Sequence, residues 1–196
     1  TMVKMLNAML FSLRGSVCSY QGEELGLTEA SIEYDQLQDP FGIAFWPMFK
    51  GRDGCRTPMP WVKGAANAGF TEATPWLPID PAHNNSAVDV QEADQDSILQ
   101  SYRHFLQWRK KQHLLIEGDI TFIDSHPDVL AFIRSQDDQR MLVLFNLCGE
   151  QQTFALNELR LSSIIDDHGL LCGAQDVLDP ATIVLPSFAS FYGLLG

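Results

Sequence analysis

Gly51-Arg52-Asp53-Gly54-Cys55-Arg56-Thr57-Pro58-Met59-Pro60-Trp61 sets two guanidinium groups and a carboxylate among glycines, prolines and a tryptophan. Glycine admits tight turns and proline fixes φ, so a loop of this composition is stiff and presents its charges at defined places. An arginine held in this way makes directional hydrogen bonds to carboxylates or hydroxyl oxygens, and tryptophan offers an apolar face on which a sugar ring can stack. The plain alternative is that Arg52, Asp53 and Arg56 only brace the loop by pairing with one another, as charged loop residues commonly do.

The sequence around this loop has the order of an α/β architecture followed by a β-rich tail. Leu6, Met9, Leu10 and Leu13 fall at i, i+3, i+4 and i+7, which predicts a helix ending near Gly15. Ser16 to Tyr20 is a short run of β-forming residues and reads as a brief buried strand. From Gly26 to about Asp94 periodicity is lost, and the stretch is rich in proline and aromatic residues, Phe41, Phe45, Trp46, Phe49, Trp61, Phe70 and Trp76 among them. Disordered segments carry little aromatic surface, so this reads as an ordered loop packed on a larger body. A second helix is predicted from a cap at Asp96 or Ser97 to about Lys111, with Leu99, Tyr102 and Leu106 on one face. Strands come next at Asp119 to Asp124, Val129 to Ser135, Met141 to Leu147, Thr153 to Leu156, Thr182 to Leu185 and Ser187 to Leu194. The turn residues Asp137, Asp138 and Gln139 join two of them as a hairpin, which implies an antiparallel sheet. A domain boundary is placed near Gln112 to Glu117, giving residues 1–112 and 113–196.

The chain of 196 residues is long enough to bury a core without disulfides or metals. Its formal charge of -12, from 25 acidic against 13 basic residues, disfavours nucleic acid or an anionic membrane as a partner and leaves a neutral sugar unaffected. No apolar run reaches the roughly 20 residues of a membrane helix. Cys18, Cys55, Cys148 and Cys172 are widely spaced, with no CxxC pair, and are expected to be buried free thiols. His83, His104, His113, His126 and His168 are scattered without ligand spacing, and Asp119, Asp124 and Asp128 lack calcium-loop spacing, so no metal or cofactor is expected. No signal peptide is visible. The sequence opens on Thr1 inside a predicted helix, so a native protein extending further upstream is expected, with a cytoplasmic location.

Tyr20-Gln21-Gly22-Glu23-Glu24-Leu25-Gly26 comes directly after the short strand. Together with Asp39-Pro40-Phe41-Gly42, Phe45-Trp46-Pro47 and the Gly51 to Trp61 loop, in this order, it resembles the α-glucosidase branch of the α-amylase superfamily, glycoside hydrolase family 13. The first string resembles the end of that family's eighth barrel strand and Gly51 to Trp61 the loop after it. Gly54-Cys55 looks more like bacterial α-glucosidases acting on maltose-like or sucrose-like substrates than like oligo-1,6-glucosidases. The resemblance implies an α+β fragment: the last helix-strand-helix part of a (β/α)8 TIM barrel, then an antiparallel β-sandwich domain.

The resemblance also implies a retaining, exo-acting α-glucosidase, in which one carboxylate attacks the anomeric carbon and a second acid protonates the leaving oxygen. In the family those two groups and a third aspartate lie after the fourth, fifth and seventh barrel strands. This sequence resembles only the part of the family beyond that third aspartate, so no catalytic residue is expected in it and the chain alone is expected to be inactive. Arg52 resembles the family arginine that closes the far end of the sugar pocket, pairing with an upstream aspartate and contacting hydroxyls of the non-reducing glucose. Arg56 is a lesser candidate for substrate contact, and Tyr20, Glu23, Glu24 and Asp53 are read as pocket supports. The α-glucoside is the implied partner. Exposed barrel surface is expected to make the chain associate with itself. The rival readings are a sucrose or maltose transglucosidase, a non-catalytic relative in carbohydrate binding, and a free-standing sugar-binding β-domain.

Overall fold

In a computed structural model, which describes residues 1–168, 177–179 and 181–196, helix α1 (Met2–Ser12) forms where the spacing predicts it but buries a different face. Met5, Ala8, Phe11 and Ser12 are buried, whereas Leu6 is exposed and Met9, Leu10 and Leu13 are half-buried. The helix is apolar on most of its circumference, so periodicity cannot say which side meets the rest of the chain. The chain divides into two compact units, one of residues 1–18 with 101–196 and one of residues 19–100.

The other helices are α2 (Pro40–Phe45), α3 (Val88–Ala93), α4 (Ile98–Arg109) and α5 (His113–Ile116). The strands are β1 (Asp119–Ile123), β2 (Val129–Gln136), β3 (Gln139–Asn146), β4 (Gln152–Ala155), β5 (Leu161–Ile164), β6 (Val177–Asp179), β7 (Thr182–Leu185) and β8 (Ser190–Leu195). In the first unit they form antiparallel sheets of order β1-β2-β3-β8-β5 and β4-β7-β6. The strands predicted from Asp119 onward are present within a few residues of their expected ends, and β5 and β6 are additional. The pairing of Gln136 with Gln139 leaves Asp137-Asp138 as a two-residue hairpin turn, with Asp137 at φ 50. Aspartate tolerates that left-handed conformation better than most residues.

Strand β3 explains how the larger sheet is covered on both faces. Met141, Val143 and Phe145 pack with Met5, Phe11, Phe105, Trp108 and Leu115 of the helices, while Leu142 and Leu144 pack with Phe154, Leu156, Ile183 and Leu185 beside the smaller sheet. Alternation alone produces this division, because successive strand side chains point to opposite faces. An unbroken apolar run marks a strand buried on both. Helix α4 starts as expected, its Ser97 hydroxyl accepting the Gln100 N–H at 3.1 Å. Its buried positions are Leu99, Ser101, Phe105 and Trp108, with Tyr102 and Leu106 half-buried.

Two arginines close the C-terminal end of α1. Arg109 Nε donates to Phe11 O at 2.6 Å. Arg134, 0% exposed, donates from Nη1 to Ser12 O at 2.7 Å and Leu115 O at 3.1 Å, and from Nη2 to Gly118 O at 2.7 Å. The last carbonyls of a helix lack intrahelical donors and carry its negative dipole end, so a guanidinium suits them both as donor and as charge. Burial lowers the proton affinity of both groups from the usual arginine value, though neither can be expected to deprotonate.

The expected strand at Ser16 to Tyr20 carries no ladder. A barrel strand is held by a hydrogen-bonded neighbour on each side, and among the described residues none pairs with this segment. In the second unit the long aperiodic stretch is ordered, as its aromatic content predicts, with α2, α3 and short three-ten turns. Gln91 staples it: its Nε2 donates to Leu25 O (2.8 Å) and Ser86 O (3.1 Å), and its Oε1 accepts the Leu99 N–H (3.0 Å). No helix among the described residues is long and apolar enough to cross a membrane.

Candidate functional site

The two quoted strings meet in the second unit. Tyr20, Gly22 and Glu23 from the first, and Gly54, Cys55 and Thr57 from the second, line one cleft of about 230 Å³ together with Glu29 and His83. The first string is shaped by its own carboxylates. Glu23 Oε2 accepts the Tyr20 N–H (3.1 Å) and the Ser19 hydroxyl (3.3 Å), and Glu24 Oε2 accepts the Gly22 N–H (2.7 Å). Gly22 sits at φ 102, where a residue with a side chain would be strained. The second string approaches closely at Gly54, whose carbonyl accepts the Ala30 N–H at 3.0 Å. A Cβ at position 54 would lie 2.6 Å from Ala30 O.

His83 is a cleft residue that the sequence presents only as one of five scattered histidines. It is buried, and its Nε2 lies 2.9 Å from Thr28 O. A carbonyl can only accept, so Nε2 carries the proton and the ring acts as a fixed donor. Nothing in its sequence neighbourhood signals this. Two of the cysteines correct the expectation of buried thiols: Cys18 and Cys55 are exposed and Cys148 is half-buried, all three being free, while Cys172 lies outside the described residues. Cys55 is exposed because it lines the cleft rather than a core.

Arg52 and Asp53 do not line the cleft. They belong to a ring of bonds around Asp39. Asp39 Oδ1 caps α2 by accepting the Phe41 N–H (3.0 Å), and its Oδ2 accepts the Arg52 backbone N–H (3.0 Å) and faces Arg52 Nε (3.5 Å). Asp53 Oδ2 accepts the N–H groups of Gln38 (2.6 Å) and Asp39 (2.7 Å). The Phe41 amide, with the Arg52 amide and guanidinium, holds the Asp39 carboxyl below the usual carboxylate range, against the opposing effect of burial. Asp53 is wholly buried and makes no ion pair among the described residues, so the three charges of the loop do not simply pair with one another. The Arg52 side chain is 64% exposed, and Arg56 is exposed, its amide closing the turn on Asp53 O at 2.8 Å. Asp39 carries a signal that could have marked it, an aspartate directly before a proline that opens a helix. No group of three or more metal-binding side chains is found among the described residues.

A family model for the α-amylase catalytic domain matches residues 1–118. The chain belongs to the α-amylase family. It is 46% identical over 192 residues to a probable α-glucosidase of Rhizobium meliloti (strain 1021), covering 98% of this chain and 34% of that protein. Among solved structures, the α-glucosyl transfer enzyme XgtA superposes with a TM-score of 0.92 at 46% identity, over 100% of this chain and 36% of its own. The trehalulose synthase MutB of Pseudomonas mesoacidophila MX-45 gives a TM-score of 0.82 at 26% identity, over 100% and 38%. The chain thus spans about a third of the length of the curated relatives it matches. In this α-amylase family setting the chain is a fragment of a (β/α)8 barrel together with an antiparallel β-sandwich, to which the two sheets belong.

Proposed function

We propose that this chain is the C-terminal part of a retaining, exo-acting α-glucosidase that removes terminal glucose units from short α-glucosides. In this reading Arg52 forms part of the sugar-pocket wall, with Arg56 as a lesser contact and Tyr20, Glu23, Glu24 and Asp53 as supports. The observation that carries it is the state of the charged groups in the two strings. Glu23, Glu24, Asp39 and Asp53 are all engaged by backbone amides, whereas Arg52 is anchored through its amide and Nε and keeps a largely exposed side chain. Carboxylates fixed in this way hold geometry, and an exposed, anchored guanidinium is suited to hydroxyl oxygens. The nucleophile and the acid/base belong to another part of the enzyme, residues 1–112 belong to its barrel and residues 113–196 to its C-terminal domain. Free thiols support a reducing compartment, the cytoplasm.

The test is turnover of a chromogenic α-glucoside by this chain and by the full-length protein. Activity in the full-length protein alone is expected. Turnover by the 196-residue chain would remove the claim that the catalytic groups lie elsewhere, and an inert full-length protein would favour a non-catalytic relative. A second reading, transfer instead of hydrolysis, is favoured by the identity to the glucosyl transfer enzyme, which equals that to the α-glucosidase at 46%. Product analysis with sucrose or maltose separates the two. The isolated chain also self-associates in this reading, since Phe41, Phe45, Phe49 and Met48, the last 89% exposed, crowd one short stretch. A monomer at all concentrations in sedimentation, with no hydrophobic-dye binding, would contradict that.

A further inference from the structure

We propose that Asp39 is the positioning residue of Arg52, holding its guanidinium in the orientation that meets the substrate; the proposal rests on the reading of Arg52 as a sugar contact. The geometry is a closed ring. Asp53 Oδ2 fixes the backbone of Gln38 and Asp39, and Asp39 in turn accepts from the backbone and Nε of Arg52, the residue directly before Asp53. Each segment therefore orders the other. The ring closes only because two glycines let the segments touch: a Cβ at Gly42 would lie 2.6 Å from Lys50 O, and one at Gly51 would lie 2.9 Å from Asp39 Cβ. Asp39 is 3% exposed, so its carboxylate is fixed by the protein and does not wander in solvent.

The groups that the ring leaves free are as informative as those it binds. Arg52 is held through its amide and Nε, and its terminal nitrogens have no hydrogen-bond partner among the described residues. A long flexible side chain loses rotamer freedom when it grips a ligand, and a side chain already fixed at its base loses less. Asp39 thus acts on binding through Arg52 and touches no substrate itself.

Asp39→Asn separates this role from helix capping, because asparagine caps a helix about as well as aspartate while the charge facing Nε is gone. In the full-length enzyme, Asp39→Asn is expected to raise KM for a chromogenic α-glucoside about tenfold with a smaller change in kcat, the loss typical of one charge-assisted contact. Arg52→Ala is expected to raise KM further, and adding Asp39→Asn to Arg52→Ala to change nothing more. Multiplicative effects in the double variant, or a normal KM in Asp39→Asn beside an impaired Arg52→Ala, would overturn the positioning role while leaving Arg52 as a sugar contact. A normal KM in Arg52→Ala would overturn that underlying reading and this proposal with it. Asp39→Ser, which also keeps a capping oxygen, serves as the second variant. If both Asp39 variants lose the thermal transition of the parent, Asp39 is a folding residue and the proposal fails.

Discussion

Replacing Arg134 by Met tests the account of the first unit most directly. Exchanging a buried ion pair for apolar residues is often neutral or stabilising, because the desolvation cost of the charges disappears together with their attraction. Arg134 differs in its partners, which are backbone carbonyls that no substitution removes. Ser12 O and Gly118 O receive their 2.7 Å bonds from this guanidinium, while Leu115 O keeps Arg109 Nη2 at 3.3 Å. Leaving two buried carbonyls without these donors costs about 1–3 kcal/mol each, and relief from burying a charge offsets part of it. A net loss of about 3 kcal/mol is therefore expected for Arg134→Met. The assay is urea unfolding tracked by tryptophan emission in a background where Trp46, Trp61 and Trp76 are replaced by Phe, so that Trp108, buried against Phe105 and Tyr192, alone reports this unit. Arg134→Lys should fall between the two, since an ammonium keeps the charge without the planar fork. A Met variant as stable as the parent would refute the reasoning: the carbonyls would then be satisfied by some other donor, and Arg134 would be a replaceable core side chain.

Gln91→Leu removes the donors of Leu25 O and Ser86 O and the acceptor of the Leu99 N–H, so a loss of about 2–4 kcal/mol in chemical denaturation of the second unit is expected; an unchanged midpoint would contradict it. Gly54→Ala places a methyl 2.6 Å from Ala30 O and 2.6 Å from Glu29 Cγ, so residues 29–30 must shift and a loss of about 2 kcal/mol is expected, read as a fall in the thermal midpoint. His168 packs against Trp108 and Tyr192, and burial pushes its pKa down from 6.5 to about 4, with Asp167 and Asp166 opposing. Above pH 6.5 both folded and unfolded forms are neutral and the group has no effect. As the pH falls from 6.5 towards 4 only the unfolded chain takes the proton, so stability drops by up to about 3 kcal/mol and then levels. Comparing unfolding at pH 7.5 and pH 5 checks this, and a His168→Phe variant with the same pH slope as the parent would refute it.

How far the sequence carried the fold depends on how local the information is. The helix at 2–12, the Ser97 cap, the 136–139 hairpin and most strands of the sandwich are set by periodicity and turn chemistry, each confined to a few neighbouring residues. The buried face of α1 is not set in this way, because Leu6 and Met5 are equally apolar and only tertiary contact distinguishes them. Arg134 was illegible for the same reason: within the run Phe132-Ile133-Arg134-Ser135 an arginine reads as an outward position, yet its partners lie as far away as Ser12, 122 residues earlier. Strand β5, Leu-Ser-Ser-Ile, has too little apolar contrast to stand out and is held by pairing with β8 across a register shift. The candidate site was legible as strings but not as contacts. Tyr20, Glu23, Glu24, Arg52, Asp53 and Arg56 could be nominated from sequence, whereas the contact of Asp39 with Arg52 and the place of His83 in the cleft needed the fold.

The commitments of the acidic residues connect composition to function. With 25 acidic residues in the chain, carboxylates are abundant enough that their presence near the Gly51 to Trp61 loop says little. Their engagement says more. A carboxylate that serves as nucleophile or general acid has to reach a reacting atom, and geometry decides this before proton affinity does. Glu23 and Glu24 are turned back onto the amides of Tyr20 and Gly22, three and two residues earlier, and Asp39 and Asp53 are buried against amides of residues 38, 39, 41 and 52. Each bond holds a local turn, a helix cap or the junction of residues 38–41 with 52–53. Freeing one of these carboxylates for chemistry would give up that bond. In the proposed function these acids shape the pocket wall, and Arg52, anchored at its amide and Nε with a side chain 64% exposed, is the group left to meet the sugar.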